Sequence, residues 1–180
     1  MVTINCNLFP DVKIFIPKIN KDERGFFIEI YNDYIKSSLN INFNQDNHTL
    51  TNINVFRGLH YQHTIPTGKL CTVIYGSILL VLLDLRLKSK TYRRHKIYKI
   101  DNNNNNILWI PSGFACGYLA TSNNTHVVYK CSESYRSEYE GQINVRDKLL
   151  NIPLPDNIIL SKKDKNSKGI LNYELDPKFL

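Results

Sequence analysis

Through the middle of the chain, short apolar runs alternate with Gly, Pro and Asn, a pattern that belongs to strands rather than helices. "LCTVIYGSILLVLLDLR", from Leu70, sets two runs rich in Val, Ile and Leu on either side of Gly76-Ser77. That spacing predicts a tight hairpin. "ILWIPSGFACGYLATS" from Ile107 and "THVVYKCSESY" from Thr125 repeat the theme, with breaks at Pro111, Gly113, Gly117 and Asn123-Asn124. Helical spacing is confined to "YNDYIKSSLN" from Tyr31, where Asn32 or Asp33 can cap about two or three turns, and to a short stretch near the C-terminus. The run "DNNNNN", Asp101 to Asn106, reads as a loop, because Asn tolerates left-handed backbone. Short strands at steady spacing, without helices between them, predict an all-β sandwich or barrel and argue against a doubly wound sheet.

Composition narrows this picture. A chain of 180 residues fits one domain, spanning residues 1–180. Its longest apolar runs fall well short of the ~20 residues that cross a bilayer, and "MVTINCNLFPDVKIF" lacks the basic start and apolar run of a secretory signal. A cytoplasmic protein without membrane contact is expected. Cys6, Cys71, Cys116 and Cys131 are widely spaced with no C-x-x-C pair, as reduced thiols would be. The net charge of +7 is spread along the chain among Asp and Glu, with no basic stripe interleaved with aromatics. Nucleic acid is therefore not the expected partner, although a positive surface would steer a small phosphorylated ligand. No internal repeat is visible.

The chemistry concentrates in "NVFRGLHYQH", from Asn54. Regular alternation would put Arg57, Leu59, Tyr61 and His63 on one face and Phe56, Gly58, His60 and Gln62 on the other. Gly58 inside the strand invites a bulge, which would bring Arg57 and His60 into one cavity. Three chemistries are open to these residues. A metal could be held by His60, His63 and Cys116, although the two histidines are poorly spaced for one side of a strand. Cys116 could act as a nucleophile, without an Asn or Asp nearby in sequence to orient a base. His60 could exchange protons, with Asp164 fixing its tautomer, Lys69 as a cation and Tyr129 as an acid.

Eight segments in order resemble the dTDP-4-dehydrorhamnose 3,5-epimerase family over about residues 8 to 165. They are "DERGFFIEIYN" from Asp22, "NQDNHT" from Asn44, "NVFRGLHYQ" from Asn54, "GKL" from Gly68, "LDLR" from Leu83, "LWIPSGF" from Leu108, "VVYK" from Val127 and "LSKKD" from Leu160. The resemblance implies an all-β, cupin-type jelly-roll barrel with short flanking helices. It also implies a homodimer that exchanges its N-terminal segment, and no metal or organic cofactor. The implied substrate is a nucleotide-linked 4-keto-6-deoxy sugar, foremost dTDP-4-dehydro-6-deoxy-D-glucose. Its inversion at C3 and C5 would give dTDP-4-dehydro-L-rhamnose.

By the same resemblance, His60 is the base and Asp164 its partner. Lys69 is the cation beside the enolate oxygen, and Tyr129 the acid on the opposite face. Arg24 and Arg57 are implied to hold diphosphate, and Glu29, Gln45 and Asn47 to touch the nucleotide. Cys116 and Tyr135 complete the substrate-binding set, and Phe26 or Phe27 offers an aromatic face, Phe27 foremost, across the dimer. The chain also departs from the family. Cys116 stands where histidine is usual, Leu80 where aspartate is common, "VRD" at Val145 to Asp147 where "WND" is usual, and Leu154-Pro155 where "WP" is usual. These changes leave open a single-site epimerase, another nucleotide sugar, a non-catalytic sugar-nucleotide binder, or a metal-dependent cupin.

Overall fold

The computed structural model describes residues 1–180. Strands β1 (Val2–Asn5), β2 (Lys13–Ile16), β3 (Ile19–Asp22) and β4 (Gly25–Ile28) precede helix α1 (Asp33–Leu39). The body follows as β5 (Gln45–Thr51), β6 (Val55–Gln62), β7 (Lys69–Tyr75), β8 (Ser77–Asp84), β9 (His95–Asp101), β10 (Ile107–Ile110), β11 (Phe114–Ala120) and β12 (Thr125–Cys131). The chain closes with β13 (Glu140–Gln142), β14 (Ile159–Leu160), α2 (Lys162–Lys165) and α3 (Ile170–Glu174).

One sheet runs β1-β2-β10-β7-β12-β5 and the other β13-β6-β11-β8-β9, with β14 beside β6 and β3-β4 forming a separate hairpin. From β5 to β8 each successive strand changes sheet, and β10, β11 and β12 do so again. That path is a jelly roll, in the all-β, cupin-type class expected, with short helices at its flanks.

Packing explains the unbroken apolar runs. On β8 and β11, Leu80, Leu82, Cys116 and Tyr118 face the space between the sheets, where they meet Phe9, Val73, Leu108 and Val127. The alternate residues, Val81, Leu83, Ala115 and Leu119, face a second core formed with Leu59, Ile152, Ile170 and Tyr173 from β6 and the C-terminal tail. Strands buried on both faces lose the alternation of a half-exposed strand. A third cluster, Phe15, Ile35, Leu70, Ile107 and Trp109, seats α1 on the outer face of the first sheet.

The hairpin expected at Gly76-Ser77 does not form, because β7 pairs with β10 and β12 while β8 pairs with β9 and β11. Gly76, at φ +87°, instead turns the chain from one sheet into the other, and a Cβ there would meet Ser122 Oγ and Thr125 Oγ1 at 2.6 Å. A tight corner and a tight hairpin call for the same turn residues, so the local sequence does not separate them. Gly117 is no break either, since β11 runs straight through it. The helix at Tyr31 forms as expected, with Asn32 Oδ1 accepting from the Ile35 N–H at 3.2 Å and Asn40 ending it in the left-handed region. Asp101 closes β9 and accepts from the N–H groups of Asn103 and Asn104, so Asn102 to Asn106 form the loop. All four cysteines are free thiols. No helix is long and apolar enough to cross a membrane.

Candidate active site

Gly58 sets the site geometry on β6. It has φ +127°, and a Cβ on it would lie 2.5 Å from Gly117 Cα and 2.8 Å from the Cys116 carbonyl. Only glycine permits both the conformation and the approach. The pairing of β6 with β11 shifts here, from Tyr118 opposite Arg57 to Cys116 opposite His60, so β6 carries one extra residue. Regular alternation therefore fails in the way the bulge expected at Gly58 requires. Arg57 and His60 line one cavity of about 510 Å³, while Phe56, Leu59 and Tyr61 turn into the outer core. His63 lies outside that cavity, against the rings of Tyr61 and Tyr139. No group of three or more His, Cys, Asp or Glu side chains converges in a way that could hold a metal ion.

Parallel pairing of β14 with β6, Ile159 to Val55 and Leu160 to Phe56, delivers α2 to His60. Ser161 caps α2, and its hydroxyl accepts from the Asp164 N–H at 3.0 Å and donates to Asp164 Oδ2 at 2.8 Å. Asp164 Oδ1 accepts from His60 Nε2 at 2.6 Å. Burial would raise the Asp164 carboxyl, but hydrogen bonds from His60, Ser161 and the Gly58 N–H outweigh it and hold the group below its usual range. The other ring nitrogen, Nδ1, lies 3.6 Å from Glu140 Oε1. Glu140 in turn accepts from the Lys163 ammonium and from Tyr135 OH, the latter at 2.8 Å.

The facing wall comes from the other sheet. Registers Cys71–Tyr129 and Lys69–Cys131 put Lys69 and Tyr129 on one face. Lys69 Nζ lies 3.5 Å from Cys116 Sγ, reaching across to β11. Burial alone would lower the Lys69 ammonium, but Cys116, Cys131 and Tyr129 around it push it up to about 12, so it is a cation at neutral pH. Burial raises the Tyr129 phenol, partly offset by Lys69, which keeps it protonated.

A second cavity, about 300 Å³, adjoins the first, and His60, Lys69 and Tyr129 line both. Gln45, Asn47 and Tyr135 belong to the smaller one, where Gln45 bonds the Tyr135 N–H at 2.8 Å and Asn47 Oδ1 at 2.9 Å. Arg57 lines the larger cavity and is steadied by Thr51 Oγ1 at 3.0 Å. Cys116 and Leu80 also line the larger cavity, and both belong to the inter-sheet core.

Three expected ligand residues lie elsewhere. Arg24 pairs with Asp22 at 2.5 Å, Phe27 is 63 % exposed, and Glu29 accepts from Asn32 Nδ2 at 2.7 Å. None of them lines either cavity. Conversely, Glu140, Lys163 and Ser161 line the cavities without having been singled out from the sequence. Lys163 and Ser161 sit inside "LSKKD", so that segment was a usable signal; Glu140, just beyond a short 3₁₀ turn, had none.

A family model described as dTDP-4-dehydrorhamnose 3,5-epimerase matches residues 7–171. The chain belongs to that family. It is 40% identical over 163 residues to the dTDP-4-dehydrorhamnose 3,5-epimerase of Methanothermobacter thermautotrophicus, covering 87% of this chain and 88% of that one. Against the Shigella flexneri epimerase of the same name the identity is 38%, over 92% and 94% of the two chains. Among solved structures, the chain resembles the dTDP-6-deoxy-D-glucose-3,5-epimerase of Legionella pneumophila Philadelphia 1 in complex with dTDP-4-keto-L-rhamnose. That likeness has a TM-score of 0.91 at 35% identity, covering 99% and 98%. A 3'-monoepimerase from Streptomyces bikiniensis in complex with dTDP-quinovose aligns with a TM-score of 0.89 at 26% identity, over 96% and 90%.

The protein is thus an isomerase of the dTDP-4-dehydrorhamnose 3,5-epimerase family. Two of its departures, at Val145 to Asp147 and at Leu154-Pro155, lie outside both cavities. Val145 and Leu154 are buried in the outer core, and Arg146 between them in sequence donates to the carbonyls of Leu154 and Pro155. Only Cys116 and Leu80 touch the larger cavity.

Proposed function

We propose that this epimerase converts dTDP-4-dehydro-6-deoxy-D-glucose to dTDP-4-dehydro-L-rhamnose by removing and returning protons at C3 and C5, beside the ketone. The observation that carries the reading is the junction of the two cavities, where His60, backed by Asp164, meets Lys69 and Tyr129 from the other sheet. A proton next to a carbonyl leaves when a base is in reach and the enolate oxygen meets a cation. His60 takes the proton while Asp164 stabilises the imidazolium, and Lys69 balances the enolate charge. Tyr129, a neutral phenol, delivers a proton to the opposite face. One base returning its own proton would give retention, so inversion needs both groups. The Lys69 ammonium supplies the positive charge the enolate oxygen needs and no electron changes hands, so the proposed steps run on side chains alone.

Arg57 and Lys163 hold the diphosphate, and Gln45, Asn47 and Tyr135 receive the nucleotide in the smaller cavity. Arg24, Phe27 and Glu29 act in a second protomer's site, making the working unit a homodimer of 180-residue single-domain chains in the cytoplasm. Cys116 and Leu80 favour one further reading, inversion at a single carbon. A thiol donates a weaker hydrogen bond than an imidazole, and the family fold also supports a 3'-monoepimerase.

The test is to incubate the protein with dTDP-4-dehydro-6-deoxy-D-glucose and follow the sugar by NMR. Formation of dTDP-4-dehydro-L-rhamnose is expected. A product inverted at one carbon selects the single-site reading, and substrate recovered unchanged overturns both.

A further inference from the structure

Glu140 joins two parts of the site that the reaction otherwise keeps apart. Its Oε1 faces the base, 3.6 Å from His60 Nδ1. Its Oε2 accepts from Tyr135 OH at 2.8 Å and from the Lys163 ammonium. The carboxylate is mostly covered, with 11 % of its side chain exposed, whereas Lys163 is 58 % exposed and lines the larger cavity along with Arg57. A solvent-facing cation is therefore tethered to a mostly covered anion, and that anion lies within ion-pair distance of the base. Such half-exposed pairs are weakly held, and a diphosphate, with more charge and more acceptor oxygens, competes well for the lysine.

We propose that Glu140 is a positioning residue that couples diphosphate binding to the basicity of His60. When the diphosphate draws Lys163 away, the Glu140 charge acts on His60 alone and the imidazole binds its proton more tightly. The inference rests on the nucleotide-sugar reading above and adds a trigger to it. The charged and titratable groups around His60 are Asp164 and Lys163 from α2, Glu140 from β13, Cys116 from β11, Lys69 from β7, Tyr129 from β12, and Arg57 on its own strand. Asp164 is pinned by Ser161, and Lys69 reaches Cys116 within the barrel. Arg57 bonds Thr51 and Leu50, not a partner of His60. Of the charged side chains, Lys163 alone is both exposed and bonded to one of the carboxylates that face the imidazole; Tyr135, which also donates to Glu140, is a neutral phenol. A base sharpened only when the remote diphosphate is in place keeps that binding energy for catalysis rather than for affinity.

The test is an NMR titration of the His60 ring in the full-length protein, with and without dTDP as the probe. In the wild-type protein dTDP is expected to raise the His60 midpoint by about one pH unit. Glu140→Gln lowers the midpoint of the free protein and loses most of the dTDP response. Lys163→Gln, at an exposed position, raises the midpoint of the free protein and likewise loses the response. The acid limb of kcat in Glu140→Gln moves to lower pH, a change that loss of packing alone would not produce. Equal dTDP responses in all three proteins would mean the ligand's own charge acts directly, and would overturn the coupling. A protein that binds dTDP and shows the coupling but epimerises nothing would instead overturn the functional reading alone.

Discussion

His60 and Asp164 sit on a strand and a short helix locked into one wall of the barrel, whereas Arg24, Phe27 and Glu29 lie on or just beyond a two-stranded hairpin, β3-β4, that pairs only with itself. The first region is built from one chain. Its carboxylate, hydroxyl and imidazole bond one another, and its bulge is held by a glycine-to-glycine contact. In the second, Phe26 and Phe27 are 58 % and 63 % exposed, and its arginine bonds only the aspartate two residues back. An isolated two-stranded hairpin is marginal in water, and adjacent exposed phenylalanines await a covering surface. The difference teaches that one chain's barrel suffices to bring His60, Asp164, Lys69 and Tyr129 together, whereas a hairpin that pairs only with itself leaves Arg24, Phe27 and Glu29 away from both cavities.

That contrast can be broken most severely at Gly58. Gly58→Ala forces a Cβ into the backbone of Gly117 at φ +127° and is expected to cost about 3 kcal/mol or more, read as a lower urea midpoint with activity lost. An alanine accommodated without loss would mean that the bulge is not what joins Arg57 to His60.

Asp164→Asn comes next, with kcat falling roughly 100-fold and stability at pH 7 falling by about 2 kcal/mol. The sign follows from the carboxyl's depressed folded-state value. Its stabilisation is complete above the unfolded value near 4 and fades as pH falls through the lower folded value. The gap in urea stability between wild type and variant should therefore narrow in acid; a gap that widens below pH 4 contradicts the assignment.

Arg24→Ala should leave the melting temperature unchanged and raise KM about tenfold. Mixing Arg24→Ala with Asp164→Asn sharpens the comparison, because a shared site draws its hairpin from one protomer and its barrel from the other. After subunit exchange about a quarter of the sites would then be intact and recover the low KM; no recovery places the hairpin's action within one chain. Cys116→His is the smallest change, altering KM by about two- to fivefold with kcat nearly kept. A large loss of kcat would move Cys116 from the lining into the proton-transfer set.

The all-β class, the capped helix at Asn32 and the bulge at Gly58 were legible because each rests on local chemistry: strand spacing, a side-chain cap, a glycine inside a strand. The corner at Gly76 reads as a hairpin because a tight turn between two apolar runs takes the same residues either way, and only the long-range strand pairing separates the two. His60, Lys69, Tyr129 and Asp164 could be named from their motifs, but their convergence depends on the β6–β14 and β7–β12 registers, which span the chain. Glu140 went unseen because it reaches His60 only through the pairing of β13 with β6.

The central claim is that His60 removes the proton beside the ketone. The direct measurement is deuterium wash-in at C3 and C5 of dTDP-4-dehydro-6-deoxy-D-glucose in deuterated water, comparing wild type with His60→Ala. Wild type should label both carbons, and the variant should exchange at least about 100-fold more slowly. Exchange by His60→Ala at the wild-type rate would contradict the account.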